Sequence, residues 1–199
     1  MLTALTCTHA TFETVEAAHN AGMTHAAHFY NAMPVVYKEH EFKVPGTVES
    51  VYALQDMTVE TIADGIHVPP VMLHVVYQIK GVEKMALITD SLAYAACNGE
   101  VTCEPRVILE DGVCKLADHS ALAGSIATMD TLIRTSILKA EIPMIDVFRM
   151  ASETPAKIMG VFDRKGSIEE GKDADIMMFD KDINLTYVMQ MGHEVTNLL

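Results

Sequence analysis

The chain has 199 residues, half of them hydrophobic, with 14 Lys and Arg against 27 Asp and Glu and a formal net charge of −13. That length is enough to bury a substantial core. The acidic balance argues against nucleic acid or an anionic membrane as partner, because both demand a basic surface. It leaves room for an anionic small substrate held by a local cluster of donors.

Residues 2–7, "LTALTC", alternate and are rich in β-formers, which predicts a first strand. Thr11 then caps a helix over "TFETVEAAHNAG" that places Phe12, Val15 and Ala18 on one face and stops at Gly22. "MTHAAHFY" (23–30) reads as a second strand, followed by a loop of mixed charge, "KEHEFKVPG", and a short helix near "SVYALQ". "MTVETIADGIHV" (57–68) is a third strand running into an Asp-Gly turn. "PPVMLHVVYQIKG" is a helix with Pro at its start, and "MALITDS" (85–91) is a fourth strand. Strand and helix alternating over short connections is the pattern of parallel βα units.

Beyond residue 97 the pattern changes. "EVTCEPRVILEDGVCKLA" carries Asp111-Gly112 between β-rich runs, a hairpin signal. Ser125 is expected to cap a helix striped by Ile126, Met129, Ile133 and Ile137. Pro143 opens another helix, and Ser152 with Pro155 opens a third that closes at Gly160. The tail from 161 to 199 alternates short apolar runs with Gly and Asp turns and reads as a small β-rich module after a larger unit over 1–160. No apolar segment is long enough to span a membrane; the most apolar window, "VPPVMLHVVY", is short and broken by two prolines. The N-terminus lacks the pattern of a signal peptide. Cys7, Cys97, Cys103 and Cys114 have no paired metal-binding spacing and read as reduced thiols of a cytoplasmic protein.

In parallel α/β folds ligands sit at the carboxyl ends of the strands. The polar residues there are Cys7 and His9, His28 and Asn31, Asp64 and His67, and Thr89 with Asp90. Cys7 reads equally as a small buried hydrophobe or as a ligand. His19, His25 and His74 read as packing or solvated residues, and Asp64, in "ADG", as a turn former. Asp90, directly after "MALIT", would be costly to bury unpaired, which favours a site role. The 14 methionines fall at core positions and read as filler.

"HFYNAMP", "IADGIHV", "LITDS", "LAGS" and "GSIEEGKDADIMMFD", in that order from residue 1 to about 195, resemble the N-acetylglucosamine-6-phosphate deacetylases of the amidohydrolase superfamily. The resemblance implies an α/β fold: a partial (β/α)8 TIM-type barrel, about strands five to eight, with a C-terminal β-sandwich remnant. It implies hydrolysis of the acetamide of a phosphorylated amino sugar, with a divalent metal such as zinc polarising the carbonyl and activating water. By position, His28 matches a metal-ligand histidine and Asp90 the catalytic aspartate. His67 matches the histidine at the substrate carbonyl, and Asn31 and Ala32 match the segment that holds the sugar phosphate.

Departures from the pattern are equally specific. The family's other metal histidine falls at Cys7, since "GH-x-NAT" has become "TCTHAT". A thiolate binds zinc well, so this exchange does not delete a ligand outright. His9 would share the strand face of Cys7 if the strand ran that far, displaced by about 6–7 Å. The phosphate-binding arginine of "REPG" is replaced by Lys43 in "KVPG", which keeps charge and loses the bidentate fork. A glutamate ligand belongs to an earlier strand that this sequence lacks, so the metal site looks incomplete. A partial barrel would expose strand edges and an apolar inner face, which predicts a homo-oligomer or pairing with an N-terminal half. Two alternatives stay open: another amidohydrolase acting on a cyclic amide or aminated base, and a non-catalytic relic or interaction module.

Overall fold

Four short apolar runs of this sequence pair side by side as one parallel sheet, in the computed structural model, which describes residues 1–95 and 106–197. The strands are β1 (Ala4–Leu5), β2 (His25–Ala26), β5 (Thr58–Ile62) and β6 (Met85–Ile88), in the order β1-β2-β5-β6. Between β2 and β5 lie β3 (Tyr37–Glu39), β4 (Phe42–Val44) and helix α2 (Thr47–Ala53). Helix α1 (Phe12–Asn20) links β1 to β2, and α3 (Pro70–Lys80) links β5 to β6. Register is continuous across the sheet: His25 faces Thr58, Ala26 faces Val59, and Val59 faces Met85. Because all four strands run parallel, the loops that follow them emerge at one end of the sheet.

Sequence dictates these boundaries locally. Thr11 caps α1, its hydroxyl accepting the Thr14 N–H at 3.5 Å, and Gly22 at φ +104° ends the connection. Pro70 opens α3, and Gly81 at φ +71° closes it. Met85, Ala86 and Leu87 are all buried, as are Val59, Thr61 and Ile62, so β5 and β6 are covered on both faces. Val48 and Val51 of α2 and Leu73 and Val76 of α3 belong to the same core.

Past the sheet come the hairpin β7 (Val107–Glu110) and β8 (Val113–Leu116), then α4 (Met129–Leu138), α5 (Met144–Ala151) and α6 (Glu153–Ile158). All three helices pack on β6, and Leu132, Ile133, Val147 and Met150 extend the core. The chain finishes in an antiparallel sheet, β9 (Ile176–Phe179), β10 (Leu185–Gln190) and β11 (His193–Asn197), ordered β11-β10-β9. Among the described residues no helix is long and apolar enough to cross a membrane.

Three local expectations change. The first two strands are only two residues long, because Cys7 (φ +39°) and His28 (φ +31°) turn into the left-handed region just after them. The charged loop over 37–44 is a hairpin, with Tyr37 facing Val44 and Glu39 facing Phe42. Its alternation of aromatic and charged residues is a strand pattern hidden by the charge. Ser125 does not cap α4; Thr128 occupies that position. The Ser125 hydroxyl donates instead to the Thr89 carbonyl, and its N–H donates to Asp90 O at 2.9 Å, pinning this segment to the end of β6. Cys114 is buried, Cys7 is exposed as a free thiol, and Cys97 and Cys103 lie outside the described residues.

Candidate functional site

At the ends of β1 and β2, Cys7 and His28 meet. The Cys7 sulfur lies 3.5 Å from His28 Nε2, and the Thr6 hydroxyl lies 2.9 Å from the same nitrogen. Exposure of Cys7 removes the reading of it as a core hydrophobe. His28 Nδ1 is buried and has no hydrogen-bond partner. Both residues hold left-handed backbone angles, a conformation costing about 1–3 kcal/mol for a residue with a side chain.

The brace behind His28 is Glu60, in the middle of β5. One carboxylate oxygen accepts the His28 backbone N–H at 3.3 Å, and the other accepts His25 Nε2 at 3.2 Å. His25, 3% exposed, shares a second bond of 2.7 Å through Nδ1 with the Thr58 hydroxyl. Burial pushes the Glu60 carboxyl up, but the His25 hydrogen bond and charge, with the His28 N–H, hold it below the usual carboxylate range. His25 is therefore structural, as its sequence context suggests. Glu60 escaped the sequence reading; the available signal was a carboxylate inside a central parallel strand, where an apolar run is the rule.

After β5, Asp64 performs two tasks at once. Oδ1 accepts the N–H groups of Ile66 (2.8 Å) and His67 (2.9 Å), the turn-forming role read from "ADG". Oδ2 accepts from His67 Nδ1 at 2.7 Å, with the His67 side chain 1% exposed. Burial raises the Asp64 carboxyl, but those three donors outweigh it and keep the group below its ordinary value. Since a carboxylate only accepts, Nδ1 carries the proton, and His67 turns Nε2 outward from Asp64. That Nε2 is buried without a partner. His67 lines a cavity of about 210 Å³ together with Asp64, Ile66, Val113, Ser125 and Ile126.

Asp90, after β6, is exposed at φ +47°. Its carbonyl receives the Ser125 N–H, which ties it to the cavity wall. Gly124, at φ +65°, permits this approach: a Cβ there would stand 3.2 Å from Asp90 O and 3.0 Å from Leu92. β5 separates β2 from β6, so the strand ends bearing His28 and Asp90 are two strand spacings apart, about 10 Å.

The other expected site residues are more dispersed. His9 is exposed and lies beyond the end of β1 at Leu5, so strand geometry does not place it with Cys7. Asn31 closes a turn, its N–H donating to His28 O at 2.8 Å, and Ala32 follows, exposed, at φ +51°. Pro34, just beyond, rests on the start of α2, where Val48 N–H donates to Pro34 O at 3.2 Å. Gly46 makes that contact possible, since a Cβ there would sit 2.2 Å from the same oxygen. Lys43 projects from β4 opposite Lys38 and is exposed.

A tetrahedral zinc with sulfur at about 2.3 Å and nitrogen at about 2.0–2.1 Å sets those two donors about 3.6 Å apart. The Cys7–His28 separation of 3.5 Å fits two corners of such a site. Among the described residues no group of three or more His, Cys, Asp or Glu side chains is placed to hold a metal. The fit is therefore to part of a coordination sphere. A larger cleft of about 640 Å³ lies between α5, α6 and β9 and shares no lining residue with the His67 cavity.

The amidohydrolase family model matches residues 3–196. Among curated proteins, the chain is 34% identical to an N-acetylglucosamine-6-phosphate deacetylase of Bacillus subtilis, over 88% of this chain and 44% of that protein. Among solved structures, the enzyme of the same name from Pasteurella multocida superposes with a TM-score of 0.89 at 28% identity, over 99% of this chain and 51% of that one. The Mycobacterium smegmatis enzyme gives 0.86 at 31% identity, over 98% and 52%. The chain thus spans about half the length of the relatives it matches.

Proposed function

The chain belongs to the amidohydrolase family, and from that premise we propose that it carries part of the active site of a metal-dependent deacetylase. The reaction is the conversion of N-acetylglucosamine 6-phosphate to glucosamine 6-phosphate and acetate. The observation that carries this reading is His67: its ring is locked by Asp64, and its Nε2 is buried and unpartnered where the strands end. A group so costly to leave unpaired calls for a polar ligand atom, and an amide offers both a carbonyl and an N–H.

In this reading His67 orients the acetamide, and Asp90, exposed at the end of β6, moves the proton between the attacking water and the departing amine. His28 and Cys7 are the ligands for a divalent metal such as zinc, whereas His9, exposed beyond the end of β1, is not placed with them. When bound, such an ion supplies carbonyl polarisation and a water of lowered pKa. Asn31 and Ala32, in the left-handed turn behind His28, and Lys43 on the hairpin hold the phosphate. The four parallel strands form an arc of a (β/α)8 barrel over residues 1–160, and residues 161–199 form a β-sandwich remnant. The rest of the site comes from further amidohydrolase polypeptide or a second copy of this chain. The free thiol at Cys7 accords with a cytoplasmic setting.

The test is acetate release from N-acetylglucosamine 6-phosphate with added zinc, beside Asp90→Asn and Cys7→Ala. The expected result is release that falls about 10²-fold or more in Asp90→Asn, with bound zinc lost in Cys7→Ala. A folded, zinc-loaded protein that releases no acetate, both alone and with the remaining half of a related deacetylase supplied, would overturn the proposal.

A further inference from the structure

The β7–β8 hairpin brings its turn onto the cavity that contains His67. Asp111 (φ +54°) and Gly112 (φ +75°) form a tight turn with both central residues left-handed, which fixes where the next residue points. That residue is Val113, 8% exposed, and it faces the cavity with Ile126 and Ala127. Ala127 is itself anchored, its N–H donating to the Ser125 hydroxyl at 3.1 Å and its carbonyl accepting from the Ser91 hydroxyl at 2.5 Å. His67, whose Nε2 is buried and unpartnered, thus lines the cavity beside short apolar walls. This combination matches an acyl group: the polar amide edge meets His67 Nε2, and the alkyl end meets Val113, Ile126 and Ala127.

We propose that Val113, held in place by the hairpin turn, is a specificity-determining residue that limits the acyl chain of the substrate to acetyl. This rests on the deacetylase reading and adds to it the part of the chain that measures the acyl group. The wall is made by residues between β6 and α4, not by the four parallel strands. Acyl selectivity can thus change by mutation of the hairpin without touching His28, His67 or Asp90.

Calorimetric binding of glucosamine 6-phosphate and its N-acetyl, N-propionyl and N-butyryl derivatives tests the idea, with thermal unfolding to verify that each variant folds. The wild type should bind the N-acetyl compound best and lose about 10-fold or more per added methylene. Val113→Ala should recover most of the loss for N-propionyl, whereas Ala127→Val should weaken even N-acetyl binding. Binding of the N-acyl series with equal affinity, or a Val113→Ala profile identical to wild type, would overturn the acyl wall and leave the deacetylase reading standing. Failure of folded protein to bind any of the four would remove that reading and this inference with it. Should Val113→Ala not fold, Ala127→Val decides: unchanged N-acetyl binding there overturns the proposal.

Discussion

Glu60 grips His28 by its backbone: the carboxylate accepts the His28 N–H at 3.3 Å while its second oxygen holds the imidazole of His25. The position of the His28 ring beside Cys7 is thus set from the neighbouring strand, by a residue that touches neither thiol nor imidazole of that pair. Glu60→Ala leaves the buried His25 Nε2 without an acceptor and the His28 turn without its anchor. The expected cost is about 1–3 kcal/mol, read as a lower urea midpoint. Glu60→Gln keeps the size and one acceptor and should cost less. An unchanged midpoint in Glu60→Ala would contradict the brace.

Acid should weaken the protein through Asp64 and Glu60. Both carboxyls lie below their ordinary values in the folded state, because donors from His67, Ile66, His25 and His28 outweigh burial. The unfolded carboxyls titrate near about 4. Folding therefore gains stability that is fully present above that range and is lost as pH falls through the depressed folded values. Urea midpoints measured from neutral to strongly acid pH should drop over that interval, and Asp64→Asn should flatten the drop. A wild-type curve no steeper than that of Asp64→Asn would refute the assignment.

Lys80 gives a slope of the same sign at alkaline pH, because its folded value is also depressed. Its ammonium is buried and donates to the carbonyls of Val51 (2.7 Å), Leu54 (3.1 Å) and Met57 (3.0 Å), closing the end of α2. Burial, with Lys84 nearby, pushes it down to about 8, against a smaller opposing pull from Asp56. Between that value and the unfolded one near about 10.4, the unfolded chain holds more protons. Stability should therefore rise with pH across that window. Lys80→Met abolishes the rise and strips three carbonyls of their donor, for an expected loss of about 1–3 kcal/mol at neutral pH. Urea denaturation at pH values below and within the window measures both effects.

Much of the fold is legible in the sequence because short β-forming runs alternate with helices that carry their own start and stop signals. The Asp111-Gly112 turn, the Pro70 helix start and the Thr11 cap all carry their own local chemistry. The hairpin over 37–44 is not legible, since its strands are exposed and no apolar face marks them. Ser125 has the composition of a cap, but the bonds it makes depend on Thr89 and Asp90, a long way back in the chain. Glu60 is hidden for the same reason: its meaning lies in two histidines on the adjacent strand. The Cys7–His28 contact follows from neighbouring strand ends, whereas the packing of the Asp111-Gly112 hairpin against the His67 cavity is a tertiary contact that its local signal does not reveal.

Cys7, His28 and Asp90 share one more property: each holds a positive φ at the tip of a strand. At such positions glycine is the replacement that relaxes the backbone most, and it is also the one that erases the donor atom. Under the proposed assignment of these residues, selection for abundance and selection for turnover pull the three codons in opposite directions. A lineage released from its catalytic duty would drift toward glycine at all three, leaving a legible record of when the chemistry ceased to matter.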